Sequence, residues 1–237
     1  MTQYFDDFSA DSVGSPPSSS RWTAHGFSGT SGYKTGNVVD LGGGIHALRI
    51  VDNGWGNALV GYTRTELGTY APGGSETIEI VAKFRLNTVP SYFTAQGGLC
   101  AGIRFGNYAL TPKSPTTWWG TRDFVAGGDY LSGVTVFGRT CAMDTWYRAR
   151  FRRESNAVFK SHVWLDTDAD DGSWDQVSGP DTTYASGGLG PFSLVAYASV
   201  DFAFVGIGTS GDAAPTSAAS SGGVPKIMQA HARRRRM

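Results

Sequence analysis

Of the chain's 237 residues, 33 are glycine and 13% are aromatic, while only four are glutamate and five are lysine, a composition that predicts strands and tight turns rather than helices. The formal net charge is zero, but residues 1–210 carry 15 Lys and Arg against 19 Asp and Glu, and residues 211–237 carry five basic residues and one acid. A domain that binds nucleic acid concentrates basic residues on its main surface, so a nucleic-acid partner is not expected.

The beginning of the chain shows no pattern of a targeting signal. Residues 1–8 are acidic and no apolar run follows them, so no signal peptide is predicted. No stretch reaches the roughly 18 apolar residues that a membrane helix requires. We therefore expect synthesis in a cytoplasm and no membrane partner. Cys100 and Cys141 lie among apolar, strand-like residues and are interpreted as two buried thiols, in keeping with such a compartment; the alternative is a disulfide between them.

Short runs of strand character, separated by turn residues, follow one another along the chain. The clearest is 76–86, where apolar residues at every second position predict one core-facing side. Residues 146–152 alternate in the same way, with three arginines on one side, and 157–165 are predicted to pair with them as a hairpin. The other predicted strands are 45–51, 58–63, 99–105, 134–137, 192–198 and 201–207. About a dozen short strands at this spacing predict an antiparallel sandwich or jelly roll.

The end of the chain changes composition. Residues 209–224 are almost entirely Gly, Ser, Ala and Thr and are predicted to form a flexible linker, since they offer little apolar surface to bury. Residues 225–237 are predicted to be a basic anchor that docks into an acidic groove of a partner. The alternatives are contact with phosphates and a solvated end. The docking residues are Ile227, Met228, Arg233, Arg234, Arg235 and Arg236.

A set of runs in the second half of the chain carries a family resemblance. They are the Trp-Tyr-Arg-Ala-Arg-Phe run at 146–151, the Val-Trp-Leu-Asp run at 163–166, Trp174, the glycine-rich segment 187–190 and the closing run 200–209. These stretches resemble the laminin-G-like form of the concanavalin A-like lectin/glucanase superfamily. In that family a W-x-R strand forms a hairpin with a V-W-x-D strand, and a glycine-rich segment and a V-x-F-x-x-V strand follow. The resemblance implies an all-β, antiparallel β-sandwich or jelly roll over residues 1–208, with a flexible C-terminal tail.

The resemblance also suggests a context. Small jelly-roll proteins with a short basic or apolar tail are similar to virion surface proteins of tailed phages. On this analogy we expect a non-enzymatic structural or adhesive module, a capsid decoration or tail protein, whose partners are other virion proteins or further copies of itself. The alternative is an independent lectin domain that binds a cell-surface glycan, with a glycoside hydrolase less favoured, because this fold carries all three functions.

No catalytic residues are assigned. The hydrolases of this family place two glutamates four apart on one strand, and retaining hydrolysis requires carboxyl groups about 5 Å apart. The nearest match, Glu76 and Glu79, is three apart, which puts the two on opposite faces of a strand. The four histidines show no metal-ligand spacing and no triad pattern, so they predict neither a zinc site nor a hydrolytic triad.

The acidic loop after the second strand of the hairpin is the candidate metal site. Asp166, Asp168 and Asp170 alternate along it and offer hard oxygen ligands, so calcium is the candidate ion, although no cofactor is required by the sequence. An EF-hand-type loop would need glycine at the sixth position and glutamate at the twelfth, where Asp171 and Val177 stand. The alternative is a solvated hairpin loop.

Four aromatic residues in the glycine-rich middle of the chain are the candidate carbohydrate platform. Trp118 and Trp119, with Tyr92 and Tyr130, could stack on sugar rings from loops, where binding residues concentrate. Adjacent residues of a strand point to opposite faces, so one of the two tryptophans is expected to serve the core instead.

Overall fold

The computed structural model describes residues 2–27, 36–51, 59–67, 76–87, 96–103, 116–120, 141–155, 158–177, 188–194 and 199–218. Over these ranges the chain forms thirteen strands and one short 3-10 helix, Thr65–Leu67, with no α-helix. The all-β prediction is therefore confirmed. Within the same ranges, no helix has the length and apolar character needed to cross a membrane.

The strands are short, as the spacing of turn residues predicts. Their bounds are β1 Thr2–Asp6, β2 Trp22–Phe27, β3 Asn37–Asp40, β4 His46–Val51, β5 Leu59–Arg64, β6 Ile78–Leu86, β7 Gln96–Ile103, β8 Thr116–Gly120, β9 Trp146–Arg153, β10 Phe159–Leu165, β11 Gln176–Val177, β12 Gly188–Leu194 and β13 Ser199–Thr209. The predicted strand at 134–137 lies outside the described residues.

The strands form two antiparallel sheets. The large sheet has the order β11-β10-β9-β6-β13-β4-β3, with β1 also paired to β13, and the small sheet has the order β2-β5-β12-β7-β8. Pairing of β1 with β13 joins the first and last strands of the domain. The predicted hairpin is β9 with β10, in which Arg150 is opposite His162. This arrangement confirms the predicted sandwich.

The main core lies between the sheets and follows the predicted alternation. Ile78, Ile80, Ala82, Phe84 and Leu86 are all buried on one side of β6. On the same face of the neighbouring strand β9 lies Tyr147, whose ring stacks on Phe84 with centroids 5.8 Å apart. Buried aromatic side chains of this size each contribute several kcal/mol, so these two strands form the stable centre of the fold. Cys141 is buried in the same core.

A second apolar cluster lies on the opposite face of the large sheet. Val81 and Phe204 are buried there under Ala214, with Phe5 stacked on Phe204 at 5.5 Å. The chain after β13 turns back to make this cover, and the amide of Ala214 donates to Glu79. We call residues 210–218 the C-terminal strap.

The strap departs from the predicted domain boundary. The linker was predicted to begin at residue 209, but Thr209 ends β13 and the next residues lie against the sheet. Gly206 makes this approach feasible, because a Cβ there would stand 1.9 Å from the carbonyl oxygen of Pro215. The rest of the predicted linker and the anchor at 225–237 lie outside the described residues.

Candidate recognition surface on the large sheet

The face of the large sheet opposite the main core carries a grid of charged and aromatic side chains, which we call the outer array. Strand register sets its rows, because paired residues on one face are direct neighbours. Arg85 pairs with Trp146 in the first row, and Lys83 with Arg148 in the second. The members are Glu79, Lys83 and Arg85 on β6, Trp146, Arg148, Arg150 and Arg152 on β9, Lys160, His162 and Trp164 on β10, Arg49 on β4 and Asp201 on β13.

Asp201 is the most buried charge of the outer array. Its carboxylate, 0% exposed, accepts hydrogen bonds from Arg49 Nε at 2.7 Å and Nη2 at 2.9 Å. Arg85 Nη2 donates a third at 2.8 Å. A bidentate guanidinium contact of this kind fixes orientation as well as charge. Arg85 is thereby held with its guanidinium 4.8 Å from the ring centre of Trp146.

Asp166, which directly follows β10, is a second carboxylate that pairs with cations of the outer array. It accepts hydrogen bonds from Lys83 Nζ at 2.6 Å and Arg148 Nε at 2.7 Å. Burial acts to raise the pKa of Asp166, but the hydrogen bonds and charges of the two cations outweigh burial and hold the pKa below its usual value. Lys83 Nζ also lies 5.2 Å from the ring centre of Trp146. Trp146 is therefore flanked by two cations, each fixed by its own carboxylate.

The loop between β10 and β11 folds back over the far end of the outer array. Asp170 Oδ2 pairs with Arg150 Nη1 at 2.9 Å, and the Arg150 guanidinium lies 4.3 Å from the ring centre of Trp174. The loop is shaped by its own aspartates, because Asp170 accepts from the amide of Gly172 and Asp171 from that of Ser173. Such Asx turns replace the missing backbone pairing of a tight loop.

His162 lies under this loop, with its side chain 7% exposed and stacked on Trp164 at 4.9 Å between ring centres. Its Nδ1 is 3.1 Å from Asp175 Oδ2, and its Nε2 is 3.6 Å from Asp171 Oδ1. The same Asp175 oxygen accepts the amide of Val163 at 2.7 Å. The loop therefore brings three carboxylates, those of Asp170, Asp171 and Asp175, close to one imidazole.

The predicted calcium ligands do not converge. Of the three aspartates, Asp166 is engaged by Lys83 and Arg148, and exposed Asp168 accepts only from the neighbouring hydroxyl of Thr167 among the contacts seen. Only Asp170 joins a group of candidate ligands within the described residues, and that group contains His162 and Asp171 instead. Sequence spacing could not find this group, because the fold of the loop creates it.

The candidate carbohydrate platform is described in part. Trp118 and Trp119 are consecutive residues of β8 and pair with Gly98 and Gly97 of β7. By register, position 119 falls on the face of the small sheet that buried Leu189 also occupies, and position 118 on the opposite face. Tyr92, Tyr130 and the tail residues Ile227, Met228 and Arg233 to Arg236 lie outside the described residues.

The glutamates of the hydrolase comparison do not form a catalytic pair. Glu79 is buried, with Arg152 Nη1 3.3 Å from one carboxylate oxygen and the amide of Ala214 3.1 Å from the other. Glu76 lies before β6, where its carboxylate accepts from the hydroxyl of Ser210. Since Glu79 is held by a cation and covered by the strap, it is not placed to exchange a proton with a substrate.

No family model matches the chain, and no curated protein matches it. Solved structures do. Peanut lectin is 9% identical with a TM-score of 0.58, covering 91% of this chain and 99% of the lectin. A protein of unknown function from Shewanella oneidensis MR-1 is 14% identical with a TM-score of 0.56, covering 86% and 84%. The exoplasmic/lumenal domain of VIP36, in a Ca²⁺/Man2-bound form, is 8% identical with a TM-score of 0.52, covering 86% of each chain. Likeness at these identities establishes the fold, and the chain has the concanavalin A-like jelly-roll fold.

Proposed function

We propose that the protein is a non-enzymatic adhesive module that binds a carbohydrate. The observation that carries the proposal is the setting of Trp146, a partly exposed indole flanked by Arg85 and Lys83. A sugar ring offers an apolar face and a rim of hydroxyl groups. An indole beside oriented guanidinium and carboxylate groups matches both, because the ring can stack while fixed polar groups set orientation.

The fold and the charges add support. Peanut lectin and the Man2-bound VIP36 domain share the jelly roll, although this fold alone hosts several functions. Glu79, Asp166 and Asp201 are each paired with at least one cation. Hydrolysis would require one carboxylic acid and one carboxylate directed at the same bond. Carboxylates held in ion pairs suit recognition better than acid–base chemistry.

The expected result of a glycan screen with the full chain is retention of at least one oligosaccharide, with affinity lowered at least tenfold by Trp146→Ala. A tenfold change in affinity corresponds to about 1.4 kcal/mol of binding free energy, which is what we expect the stacked indole to contribute. Affinity would be measured by titration calorimetry with the retained oligosaccharide. Val13→Ala, which changes an exposed apolar residue in the loop between β1 and β2, is the control and should leave the affinity within twofold.

Two other outcomes separate the binding function from its location. If Trp118→Ala abolishes binding and Trp146→Ala does not, the carbohydrate site lies on the small sheet, as the sequence first suggested, and the outer array has another role. If no glycan is retained by the folded protein, the carbohydrate proposal fails.

We further propose that residues 225–237 dock this module on a larger particle, for which a phage virion is the candidate. The observation in favour is the contrast between residues 1–210, with a net charge of −4, and a last segment with four consecutive arginines. A basic segment with Ile227 and Met228 beside it offers charge and apolar anchors to an acidic groove. The partner would be another virion protein or a further copy of this chain.

Truncation after Ala218 is expected to remove particle association while keeping Ala214 over Val81 and Phe204, because the variant retains the whole described strap. Sedimentation of producing-cell lysate should pellet the full chain with particles and leave the truncated chain in the supernatant. Truncation after Ser210 is unsuitable, since it also removes Ala214 from Val81 and Phe204. If the full chain stays in the supernatant, the docking proposal is wrong, while the glycan proposal is untouched.

A further inference from the structure

The underside of the β10–β11 loop gathers nitrogen and oxygen donors, one of which, Asp170, also pairs with Arg150 of the outer array. One ring nitrogen of His162 and one carboxylate oxygen each of Asp170 and Asp171 all lie within 4.8 Å of one another. These three residues lie on two different parts of the hairpin, the strand and the returning loop. We propose that they form a site for a divalent transition-metal ion, with Zn²⁺ as the best-matched ion.

The burial and incomplete hydrogen bonding of His162 independently support a bound ligand. Its side chain is 7% exposed, and its Nδ1 is buried without a hydrogen-bond partner over the ranges that the structure describes. A buried imidazole normally hydrogen-bonds through both nitrogens, because an unmade bond there costs about 1–3 kcal/mol. Nδ1 faces Asp175 Oδ2 at 3.1 Å, and Nε2 faces Asp171 Oδ1 at 3.6 Å, so Nε2 is the nitrogen available to the ion and Nδ1 is the nitrogen that Asp175 can orient. A ring held in that way is prepared for a cation.

The distance between the donors fits a metal better than a hydrogen bond. His162 Nε2 and Asp171 Oδ1 are 3.6 Å apart, beyond hydrogen-bond range. Two ligands that each bind Zn²⁺ at about 2.1 Å in a tetrahedron lie roughly 3.4 Å from each other. For this pair the difference is a few tenths of an ångström, while the full set of donors, which lie within 4.8 Å of one another, must contract further around the ion. Asp171 can make that shift, since its side chain is 69% exposed at the end of a loop.

The donor set selects the class of ion. Calcium takes six to eight oxygen ligands, whereas an imidazole with two carboxylates suits Zn²⁺ and its neighbours in the first transition row. Asp175, 3.1 Å from His162 Nδ1, stands where a second carboxylate commonly orients a metal-bound histidine. A water molecule would complete the tetrahedron. The predicted calcium loop thus supplies Asp170 to a different ion, and the nitrogen ligand comes from the preceding strand.

Arg150 is the competitor for this site. Its Nη1 is 2.9 Å from Asp170 Oδ2, so the ion and the guanidinium share one carboxylate. Carboxylate oxygens carry enough lone pairs for both contacts. Binding of the ion would then tie β10 to the loop that supports Trp174, and would fix this end of the outer array. The site stands on these donors alone and does not depend on carbohydrate binding.

The test is titration of the full chain, without a histidine tag, with ZnCl2 by calorimetry, followed by thermal melting with and without Zn²⁺. We expect one ion per chain and a melting temperature that rises with Zn²⁺ and returns on addition of EDTA. Asp171→Asn should weaken binding at least tenfold, and this exposed residue can change without loss of the fold. Asp168→Asn removes the same charge from the same loop outside the group and should leave affinity within twofold.

Two further measurements keep the outcome clear. The side-chain NMR resonances of His162 should move on addition of Zn²⁺, which reports ligation even if His162→Gln fails to fold. His231→Gln, in the basic tail, should change nothing. Equal effects of Asp171→Asn and Asp168→Asn would mean binding by general surface charge and would overturn the proposal. Binding of CaCl2 with no response to ZnCl2 would also overturn it, because an imidazole is not a calcium ligand.

Discussion

Replacing Asp201 with asparagine is expected to lower the free energy of unfolding by about 2–4 kcal/mol, because it leaves two arginines without their shared carboxylate. Asp201 is fully buried and joins three strands of the large sheet, with Arg49 on β4 and Arg85 on β6 both donating to it from β13. Removing one member of a buried ion pair typically costs about 3–5 kcal/mol. Here we expect a smaller loss, because the guanidinium groups of Arg49 and Arg85 can still reach water.

Urea unfolding followed by tryptophan fluorescence would measure the effect. Asp168→Asn is the matched control, since Asp168 is exposed and lies outside the ion-pair network, and it should change stability by less than about 0.5 kcal/mol. Added salt should reduce the difference between the native chain and Asp201→Asn only modestly, because buried pairs are screened less than exposed ones. A loss equal to that of the control would mean that the three strands are held by backbone pairing alone.

The sandwich could be predicted from the sequence because its two central strands alternate without interruption. On β6 the apolar residues recur at every second position, and on β9 arginines and apolar residues exchange places in the same rhythm. Because successive side chains of a strand point to opposite faces, this alternation indicates which side faces the core. The carboxylate partners of the outward cations could not be predicted, since Asp201 is on β13 and Asp166 follows β10, and only the pairing of these strands with β6 and β9 brings the charges together.

Strand β12 shows that glycine content alone does not distinguish a turn from a strand. The segment around Gly188 and Gly190 has the composition of a turn, and the predicted strand began at 192, whereas the observed strand runs from Gly188 to Leu194. The glycines serve close packing, because a Cβ at position 190 would lie 2.0 Å from the carbonyl oxygen of Tyr62. Glycine therefore marks a strand that another backbone approaches, a meaning that composition cannot separate from a turn.

The strap and the proposed metal site were missed for related reasons. Residues 210–218 have the composition of a linker, yet glycines at 206 and 208 leave space for them against β13. His162 precedes Asp170 by eight residues, a spacing that belongs to no metal motif. In both cases one segment folds back on another, and the contact depends on the tertiary path rather than on local pattern. Sequence patterns reveal faces of elements more readily than contacts between loops and sheets.

Asp6→Asn is expected to cause the larger loss of stability, about 3–5 kcal/mol, because this carboxylate holds the corner where the chain passes from one sheet to the other. Asp6 is 3% exposed and ends β1 of the large sheet. It accepts a hydrogen bond from Trp22 Nε1 at 2.7 Å on β2, and Arg64 on β5 lies 3.4 Å away. Both partners belong to the small sheet, so the contact links the two layers.

The same carboxylate also shapes the turn that follows. Asp6 Oδ1 accepts the amide of Phe8 at 2.8 Å, and Phe8 has a φ of 59°, a conformation that a bulky residue adopts only when its surroundings hold it. That turn directs the Phe8 ring against Trp22, with centroids 6.0 Å apart in the core. Loss of the charge would therefore weaken an ion pair, a buried indole hydrogen bond and a strained turn together.

Asp7→Asn provides the adjacent control, because Asp7 is exposed and bonds only to Ser9 among the contacts seen. Urea unfolding should show a loss below about 1 kcal/mol for Asp7→Asn and several times that for Asp6→Asn. Native-state hydrogen exchange would locate the damage. Amides of β1 and β2 should lose protection before those of β6 and β9, since the corner can open while the central strands stay paired. Uniform loss of protection across both sheets would show instead that Asp6 is part of the cooperative core, and that the two layers cannot separate at this corner.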